Sequence, residues 1–509
     1  MPGLCIGFNE RFTILNTENP TAGATDGPGS TCDRVPLGWP GWLLILSVAM
    51  VVCCFNLGGA RTLTEHETYA AGGAKQMALD HDWLFPKIGD HLWLEKPPLL
   101  HWLIIASAKL FGGFSEAAVR FPSAIAGVGI VIVMTLLSAR WFGRRVAIFT
   151  ALVQTTSVYF ITYARLAEAE MILACIVVLA LFVFSRLQGI GAGWPTAQPH
   201  LAILFWALVG LSNMAKGLGF GAALILVPCV GYLIWRHDLA SWRRMISWTG
   251  ITLGVGLAIW WPIVVAWQEH QVGQLWLTEI TKRAFGAPQY EQPWWYYLQT
   301  VPWQLLPWTP ALLLGGRASL ARARHDASSP DRFIWCWSIL PIAVLSLFRG
   351  KHHHYIISCL CAFSPICALG LLKCGMRVAV ACAAVAVAGI LIVHGWILPR
   401  FDPSRDDREF LKRVRSFVPP GVPLAATSGQ EIARHIFYVE PPPQGVWNSA
   451  DLERYFLGRS LYVIARQKEE KHLTTLGRVE VISQSRHTRA EQSSSDRFTL
   501  FRIQPPGTP

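Results

Sequence analysis

Long apolar runs between residues 39 and 398 constrain the fold of this chain more than any other feature. Of its 509 residues, 52% are hydrophobic, 15% are charged and 23 are tryptophan, a mixture that soluble enzymes of this size seldom show. A membrane-spanning helix needs about 20 apolar residues. The sequence therefore predicts an all-α polytopic membrane protein with about eleven spans, centred near residues 48, 128, 154, 178, 206, 226, 256, 308, 340, 363 and 388.

The charged residues divide the predicted connectors into two sets. The net charge is +12, but the basic residues form short clusters between apolar runs instead of one stripe, which argues against nucleic-acid binding. Lys and Arg are enriched in cytoplasmic connectors. The connectors that we place in the cytoplasm contain Arg140, Arg144, Arg145, Arg186, Arg236, Arg243, Arg244, Arg317, Arg322, Arg324, Lys373 and Arg377.

The opposite set of connectors contains nearly every unusual polar cluster of the chain. These clusters are the loop at 65–102, residues 165–170, Lys216, the loop at 268–299 and residues 349–355. Because structural charges would not gather on one side by chance, the bias indicates one extracytoplasmic site built from several loops. For any single cluster, charges that snorkel at helix ends remain an alternative.

The two ends of the chain differ from its apolar middle. Residues 1–38 are polar and do not resemble a cleavable signal peptide, so we expect a cytoplasmic tail followed by an uncleaved anchor. Residues 399–509 combine one helical pattern with short β-rich runs, which predicts a small soluble α/β domain outside the membrane. Residues 39–398 then form the transmembrane domain. The positions of the 12 Cys indicate no disulfide framework.

The first extracytoplasmic loop opens with Glu65, His66 and Glu67. Tyr69 and the small residues after it would share one face of an interfacial amphipathic helix. A carboxylate at the head of this helix could accept a proton from an incoming hydroxyl, and His66 could assist or replace it. The alternative is a helix N-terminus enriched in acids, which the helix dipole favours.

The sequence Glu95-Lys96-Pro97-Pro98 is a more specific signal. The two prolines fix the backbone and are suited to start a helix, with Lys96 at its N-terminal edge. A lysine in that position at a membrane surface suits a lipid phosphate, since its ammonium and the free backbone N–H groups attract the same anion. The alternative is a membrane re-entry turn whose lysine snorkels to headgroups.

Other charges lie at predicted outer helix ends. Arg165, Glu168 and Glu170 follow one span, and the spacing of Arg165 and Glu168 favours a simple ion pair between them. Lys216, next to Gly217, is a lone cation among apolar residues, and its small neighbours permit the close approach of a ligand. We interpret Lys216 as functional.

Two later clusters add cations and aromatic rings. Lys282 and Arg283 precede the segment Gln-Pro-Trp-Trp-Tyr-Tyr at 292–297, which is typical of an interfacial belt and could also stack on sugar rings. Arg349 and Lys351 flank three adjacent histidines at 352–354. Consecutive helical residues point about 100° apart, so anion contact by the two cations is favoured over a metal site on the histidines.

These motifs together resemble a known family. Their order resembles that of the bacterial lipid A aminoarabinose transferases, which are related to the dolichyl-phosphate-mannose protein mannosyltransferases of the GT-C class. The resemblance covers about residues 40–400 and is carried by Glu67, Tyr69, Met77, Asp82-Trp83, Glu95-Lys96-Pro97-Pro98, Arg120-Phe121-Pro122, Arg165, Glu170, Lys216-Gly217, the Trp-Trp-Tyr-Tyr segment, Pro302-Trp303, Ser346, Arg349, Lys351 and Tyr355.

The resemblance implies a membrane glycosyltransferase. Such an enzyme, a monomer in the bacterial inner membrane, would move a sugar from a polyprenyl-phosphate carrier to a lipid, glycan or protein acceptor at the outer face, inverting the anomeric centre. The expected site comprises catalytic Glu65, His66, Glu67 and Glu170; donor-phosphate ligands Lys96, Lys216, Arg283, Arg349 and Lys351; and substrate contacts Glu95, Arg165, Tyr69 and Tyr355.

Two positions depart from the family pattern. His66 stands where such families usually have the Asp of an Asp-Glu pair, which leaves open which of Glu65, His66 and Glu67 takes the proton. Tyr290 stands where a metal-binding His is expected before the aromatic segment, so we predict no metal site.

Two alternatives to the transferase follow from the same residues. A transporter or flippase of polyprenyl-linked sugars would also carry polar groups in many spans, but its ionisable groups should lie near mid-membrane and internal repeats are common in that class. A non-catalytic relative is the second alternative, because His66 replaces an expected acid.

Overall fold

The structure is a computed structural model that describes residues 37–191, 198–237, 239–269, 272–285, 291–402, 404–455, 460–486 and 497–504, without the side chains at 239, 275, 279, 280 and 282–285. The predicted tail, apart from residues 37 and 38, lies outside the described residues, as does Tyr290.

Helices dominate the described chain. The α-helices are α1 Trp39–Cys54, α2 Glu65–Asp80, α3 Leu99–Leu110, α4 Glu116–Phe142, α5 Arg144–Thr156, α6 Val158–Ala164, α7 Ala169–Gln188, α8 Pro199–Lys216, α9 Phe220–Arg236, α10 Leu239–Arg243, α11 Trp248–Gln268, α12 Val272–Phe285, α13 Tyr296–Gln304, α14 Thr309–His325, α15 Asp331–Leu347, α16 Ile357–Leu360, α17 Phe363–Lys373, α18 Met376–Ile392, α19 Leu398–Arg400, α20 Arg405–Arg413, α21 Ile432–Tyr438 and α22 Glu470–Leu473. Short 3₁₀ segments are His353–Ile356, Val414–Phe417, Gly429–Glu431, Ser449–Tyr455 and Gln467–Glu469, and Val393–Ile397 is a π-helical turn.

The mostly helical architecture predicted from the sequence is confirmed, whereas the count of eleven spans is not. Among the described residues, four helices are long and apolar enough to cross a membrane, or up to six if two bent pairs each form one span. Several predicted spans are short helices such as α1 and α9, and α5 bends by 62° into α6. Helix α4 lies inside the bundle, while α18 presents most of its apolar surface outward.

Close helix packing depends on glycine at the contact between α8 and α11. A Cβ atom on Gly210 would lie 2.2 Å from the carbonyl oxygen of Gly254. Small residues at such contacts let helix backbones approach, which is how packing replaces the hydrophobic effect inside a membrane. The approach of these two helices holds the end of α8, where Lys216 lies.

Helix α2 begins at a capping box. The Thr64 hydroxyl accepts a hydrogen bond from the Glu67 backbone N–H (3.3 Å), and the Glu67 carboxylate accepts one from the Thr64 N–H (2.9 Å). The predicted helix is confirmed, but the expectation of a single buried face is wrong. Residues from Ala70 to Lys75 are all buried, because α2 packs against both α3 and α21.

The C-terminal part of the chain contains a five-stranded mixed sheet. Its order is β4-β3-β5-β7-β6, with β3 parallel to both β4 and β5 and the remaining pairs antiparallel. A separate two-stranded ribbon, β1–β2, lies in the first loop. The strands are β1 Lys87–Ile88, β2 His91–Leu92, β3 Leu424–Ala426, β4 Gln444–Gly445, β5 Leu461–Arg466, β6 Arg478–Gln484 and β7 Phe498–Gln504.

The C-terminal part docks directly on the first loop. The ammonium of Lys75, buried in α2, donates to Glu440 (2.6 Å) and to the carbonyl of Phe437 (3.1 Å). A Cβ on Gly72 would lie 2.4 Å from the carbonyl oxygen of Ala433, so glycine allows α2 to touch the backbone of α21. These contacts fix the position of the sheet relative to the head of α2.

Candidate functional site

A buried ion pair joins two helix ends. Glu170 lies in the first turn of α7 and Lys216 is the last residue of α8, and Lys216 Nζ lies 2.8 Å from Glu170 Oε1. Each group lies at the helix end whose dipole favours its charge. Both side chains are about 5% exposed or less. Because a buried charge without a partner is strongly destabilising, the two groups depend on each other.

Aromatic and imidazole rings surround the Lys216 ammonium. Its Nζ lies 4.7 Å from the ring centre of Tyr355 and 5.2 Å from that of Phe220, within the range of cation–π attraction. The Nε2 of His354 lies 3.7 Å from Glu170 Oε1. The structure thus brings together three predicted site residues that are far apart in the sequence: Glu170, Lys216 and Tyr355.

Glu168 lies beside this pair and was not among the predicted site residues. It is the N-cap residue of α7 and is half-buried. Burial, followed by repulsion from Glu170 and Glu67, raises the pKa of Glu168 to about 8. A carboxyl group with a pKa near neutrality among other charged side chains is a candidate for proton transfer.

The predicted pairing of Arg165 with Glu168 is wrong. The guanidinium of Arg165 donates to the carbonyls of Val52 (2.9 Å), Cys53 (3.0 Å) and Phe55 (2.6 Å) at the end of α1. These are carbonyls that a helix end leaves without intrahelical partners. Arg165 therefore caps a helix, a role different from the substrate contact expected from the sequence.

Lys96 lies just before α3, as the prolines predicted. The helix begins at Leu99 with Pro98 as its N-cap residue. Lys96 is half-buried, and its positive charge acts on both Glu168 and Glu170. Within the part of the chain that the structure describes, its ammonium donates no hydrogen bond, so it is available to an anion.

An apolar cavity of 370 Å³ ends at these charges. Its polar end is formed by Glu95, Lys216 and Tyr355. Its walls come mainly from α9, α11 and α15, and they include Ala223, Leu224, Val227, Trp261, Pro341, Val344 and Leu345. The shape and chemistry suit an amphiphile with an anionic head and a hydrocarbon tail.

Glu67 lies in a different environment from the one expected of a base. Its carboxylate is fully buried and forms a two-point ion pair with Arg120, at 2.7 and 3.0 Å. The same carboxylate accepts hydrogen bonds from the backbone N–H groups of Thr64 (2.9 Å) and Ala167 (3.0 Å). These donors, Arg120 above all, hold the pKa of Glu67 below its usual value against the opposing effect of burial. The geometry does not fit a group that takes a proton from substrate.

Glu65, His66 and Tyr69 lie at the outer end of α2. The Tyr69 hydroxyl lies 2.7 Å from Glu65 Oε1 and 2.6 Å from Gln430 Oε1, which links α2 to the C-terminal part. His66 is exposed, with its ring edge against Tyr69. Glu65 lines a second, polar cavity shared with the C-terminal sheet. Glu65 and Tyr69 thus contact the C-terminal part of the chain, and the charge of Glu95, at the end of the apolar cavity, also acts on Tyr69.

The remaining predicted cations differ in their burial and in their contacts. Lys351 is buried and donates to the carbonyl of Gln292 (2.8 Å), so it holds the aromatic segment. Arg349 is mostly exposed and lies 3.7 Å from Glu291, a geometry typical of a weak surface pair. The backbone of Arg283 belongs to α12, but its side chain is outside the described part of the structure.

A search of the described residues finds no cluster of three or more His, Cys, Asp or Glu side chains that could hold a metal ion. His353 Nε2 is 2.8 Å from the hydroxyl of Tyr163, and the rings of His352 and His354 stack 5.1 Å apart. The histidines thus contact one another and Tyr163 through their rings.

Part of the chain matches a known protein family. Residues 95–267 match the family model of the dolichyl-phosphate-mannose-protein mannosyltransferases. The undecaprenyl phosphate-α-4-amino-4-deoxy-L-arabinose arabinosyl transferase of Pseudomonas paraeruginosa is 28% identical over 331 residues, which are 63% of this chain and 57% of that protein. The corresponding transferase of Pectobacterium carotovorum is 26% identical, over 64% of this chain and 57% of its own length. The aligned region is less than two thirds of either relative.

Solved structures show the same fold over most of the chain. The crystal structure of ArnT from Cupriavidus metallidurans bound to undecaprenyl phosphate superposes with a TM-score of 0.75 at 18% identity, covering 91% of this chain and 98% of that one. The oligosaccharyltransferase of Archaeoglobus fulgidus gives a TM-score of 0.52 at 13% identity, over 86% and 70% of the two chains. The resemblance carried by the motifs is confirmed: the chain is a GT-C-fold membrane protein similar to the bacterial lipid A aminoarabinose transferases.

Proposed function

We propose that this protein transfers a sugar from a polyprenyl-phosphate carrier to an acceptor, with inversion at the anomeric carbon. One observation carries the proposal: an apolar cavity ends at Lys216 and Glu95, and the positive charge of Lys96 acts on Glu170, the ion-pair partner of Lys216. A carrier lipid has the matching chemistry, a hydrocarbon tail with one phosphate. The relatives' names, which include undecaprenyl phosphate, support the same substrate class.

The two lysines would act on the leaving phosphate. As the bond between the anomeric carbon and the phosphate oxygen breaks, negative charge grows on the phosphate, and ammonium groups placed there stabilise the transition state. Lys96 has a free ammonium among the described residues, whereas Lys216 already pairs with Glu170 at 2.8 Å. We assign the first phosphate contact to Lys96 and a second to Lys216.

The acceptor hydroxyl needs a group that takes its proton as the new bond forms. Glu168 fits this role better than the acids of the first loop, because it is half-buried beside the phosphate ligands and has a pKa of about 8. A carboxylate with a pKa near the working pH takes a proton efficiently once it is ionised. Glu170 would keep Lys216 in position.

The site is proposed to face the extracytoplasmic side of the membrane. The basic connectors at the opposite helix ends support this orientation under the positive-inside rule. Residues 399–509 would then form a domain outside the membrane, and the monomer remains our expectation. The acceptor would be a lipid, a glycan or a protein that reaches the site from this side.

Turnover of a labelled donor tests the proposal. Purified protein in detergent is incubated with a radiolabelled polyprenyl-phosphate sugar and a membrane lipid extract, and free and transferred sugar are separated from the lipid. We expect the sugar to leave the carrier. A flippase would leave the sugar–phosphate bond intact, and that result in the presence of correctly folded protein would contradict the proposal.

A further inference from the structure

A second cavity, of 520 Å³, lies between the head of α2 and the C-terminal sheet. Its walls are the segments that follow the three parallel strands: Ser428–Glu431 after β3, Trp447–Ser449 after β4, and Arg466–Glu469 after β5. Strand β3 lies between β4 and β5 in the sheet. The chain therefore leaves β3 toward one neighbour and later returns on the other side, which makes this edge a topological switch point.

Ligands commonly bind at this kind of sheet edge. In open sheets with parallel strands, loops diverge at the carboxyl edge where the strand order reverses, and the crevice between them is where ligands bind. Here the head of α2 borders the crevice through Glu65. The cavity is thus bounded by two parts of the fold and opens to solvent.

The lining indicates a ligand rich in hydroxyl groups. Gln430 and Asn448 carry amides, which can donate and accept, and the carboxylates of Glu431 and Glu469 accept. Trp447 is half-buried, and its ring stacks on His91 with the centroids 4.5 Å apart. Carboxylates, amides and an aromatic face in one cleft match the alternating hydroxyl and C–H surfaces of a saccharide.

The charges disfavour an anionic ligand. Three carboxylates line the cavity, those of Glu65, Glu431 and Glu469, against the cations Arg466 and Lys468. Arg466 is already engaged, because its Nη2 lies 2.5 Å from Glu431 Oε1. Glu431 is in turn shared between Arg466 and Arg434 (3.5 Å), which leaves the carboxylates of Glu65 and Glu469 with the ammonium of Lys468. Two carboxylates and one ammonium would repel a phosphate but not a neutral or amino sugar.

We infer that this cavity binds a neutral or amino saccharide and holds the sugar portion of the acceptor. The assignment to the acceptor rests on the proposed transferase function, while the binding of a saccharide does not. Tyr69 contacts the lining residues Glu65 (2.7 Å) and Gln430 (2.6 Å), and the charge of Glu95, the neighbour of Lys96, acts on Tyr69. An acceptor held in the cavity would therefore extend past Tyr69 toward Lys96.

Saturation-transfer NMR on the full-length protein in detergent tests the inference without any donor. The probes are a panel of neutral and amino mono- and disaccharides, together with the phosphate esters of the same sugars. We expect at least one unphosphorylated sugar to bind and its phosphate ester to bind more weakly. Failure of the whole panel, or tighter binding of the esters, would overturn the inference.

Two variants test whether the NMR signal of the bound sugar comes from this cavity. Asn448→Asp keeps the oxygen that accepts from the Ala450 N–H (3.2 Å), removes the amide donors and adds a negative charge, so we expect folded protein with about tenfold weaker binding of a neutral sugar. Trp447→Ala keeps the backbone N–H that donates to Asp90 (2.8 Å) and should abolish the signal. Glu480→Gln, on the distant strand β6, is the control and should change neither binding nor turnover.

These outcomes separate the inference from the proposed function. Donor turnover without saccharide binding would remove the cavity from acceptor recognition and leave the transferase intact. Saccharide binding that both cavity variants leave unchanged would overturn the assignment to this cavity.

Discussion

The substitution Glu67→Gln gives the sharpest test of how the first loop works. In the wild type, Arg120 is 1% exposed and makes two contacts with Glu67 together with hydrogen bonds to the carbonyls of Leu57, Arg61 and Thr62. Glutamine keeps the size of the side chain but removes its charge and turns an N–H group toward the guanidinium. The variant therefore leaves a buried cation without its counterion.

The expected effect is a loss of stability. Breaking a buried ion pair on one side costs about 3–5 kcal/mol. With an unfolding entropy of about 2.1 cal/mol/K per residue, the free energy of unfolding of a 509-residue chain changes by roughly 1 kcal/mol per degree near the midpoint. The midpoint of thermal unfolding should therefore fall by about 3–5 °C. The folded fraction should keep measurable turnover, because Glu67 is proposed to hold the fold and not to take the proton.

Thermal unfolding in detergent and turnover per folded molecule are measured on the same preparation. Asp80→Asn is the matched control, since Asp80 is exposed at the opposite end of α2 and surface changes usually stay within about 0.5 kcal/mol. A Glu67→Gln protein with the midpoint of the wild type and no turnover would refute the structural role and restore Glu67 as the base.

Three further predictions concern the site. Lys96→Ala should reduce turnover about 10²–10³-fold without a change in unfolding midpoint, whereas Lys109→Ala, at the exposed end of the helix that follows Lys96, should have no effect; equal turnover in both variants would exclude the phosphate role. In the wild type, kcat/KM should rise as the pH passes about 8, where Glu168 loses its proton, and Glu168→Gln should lose this rise with a rate about 10²–10⁴-fold lower; a retained rise would point to another base. Val227→Trp fills the apolar cavity and should raise KM about tenfold for a long-chain donor but not for a short-chain analogue; equal KM changes for both donors would place the tail elsewhere.

Sequence reasoning predicted the parts of the site that local pattern controls. The prolines placed Lys96 before a helix, and the isolation of Lys216 among apolar residues marked it as a candidate, which the structure places at the end of the apolar cavity. Both signals are contained within a few residues, so they could be recognised without knowledge of the fold.

The rest depended on contacts between distant segments. Glu67 looked like an available acid because its partner Arg120 is 53 residues away, and the helix-end carbonyls that occupy Arg165 are 110 to 113 residues away. Hydropathy located apolar segments but could not show that the helix breaks at Ser157, between α5 and α6. Burial and partner choice at long range are tertiary properties, and no local pattern encodes them.

In the proposed mechanism, the carrier lipid occupies the apolar cavity with its phosphate at Lys96 and Lys216. An experimental structure of the protein with undecaprenyl phosphate tests it most directly. We predict the phosphate within hydrogen-bond reach of both ammonium groups and the tail between α9, α11 and α15. A tail in the separate 450 Å³ cavity lined by Arg61, Arg165 and His394, with an empty site at Lys96, would contradict the account.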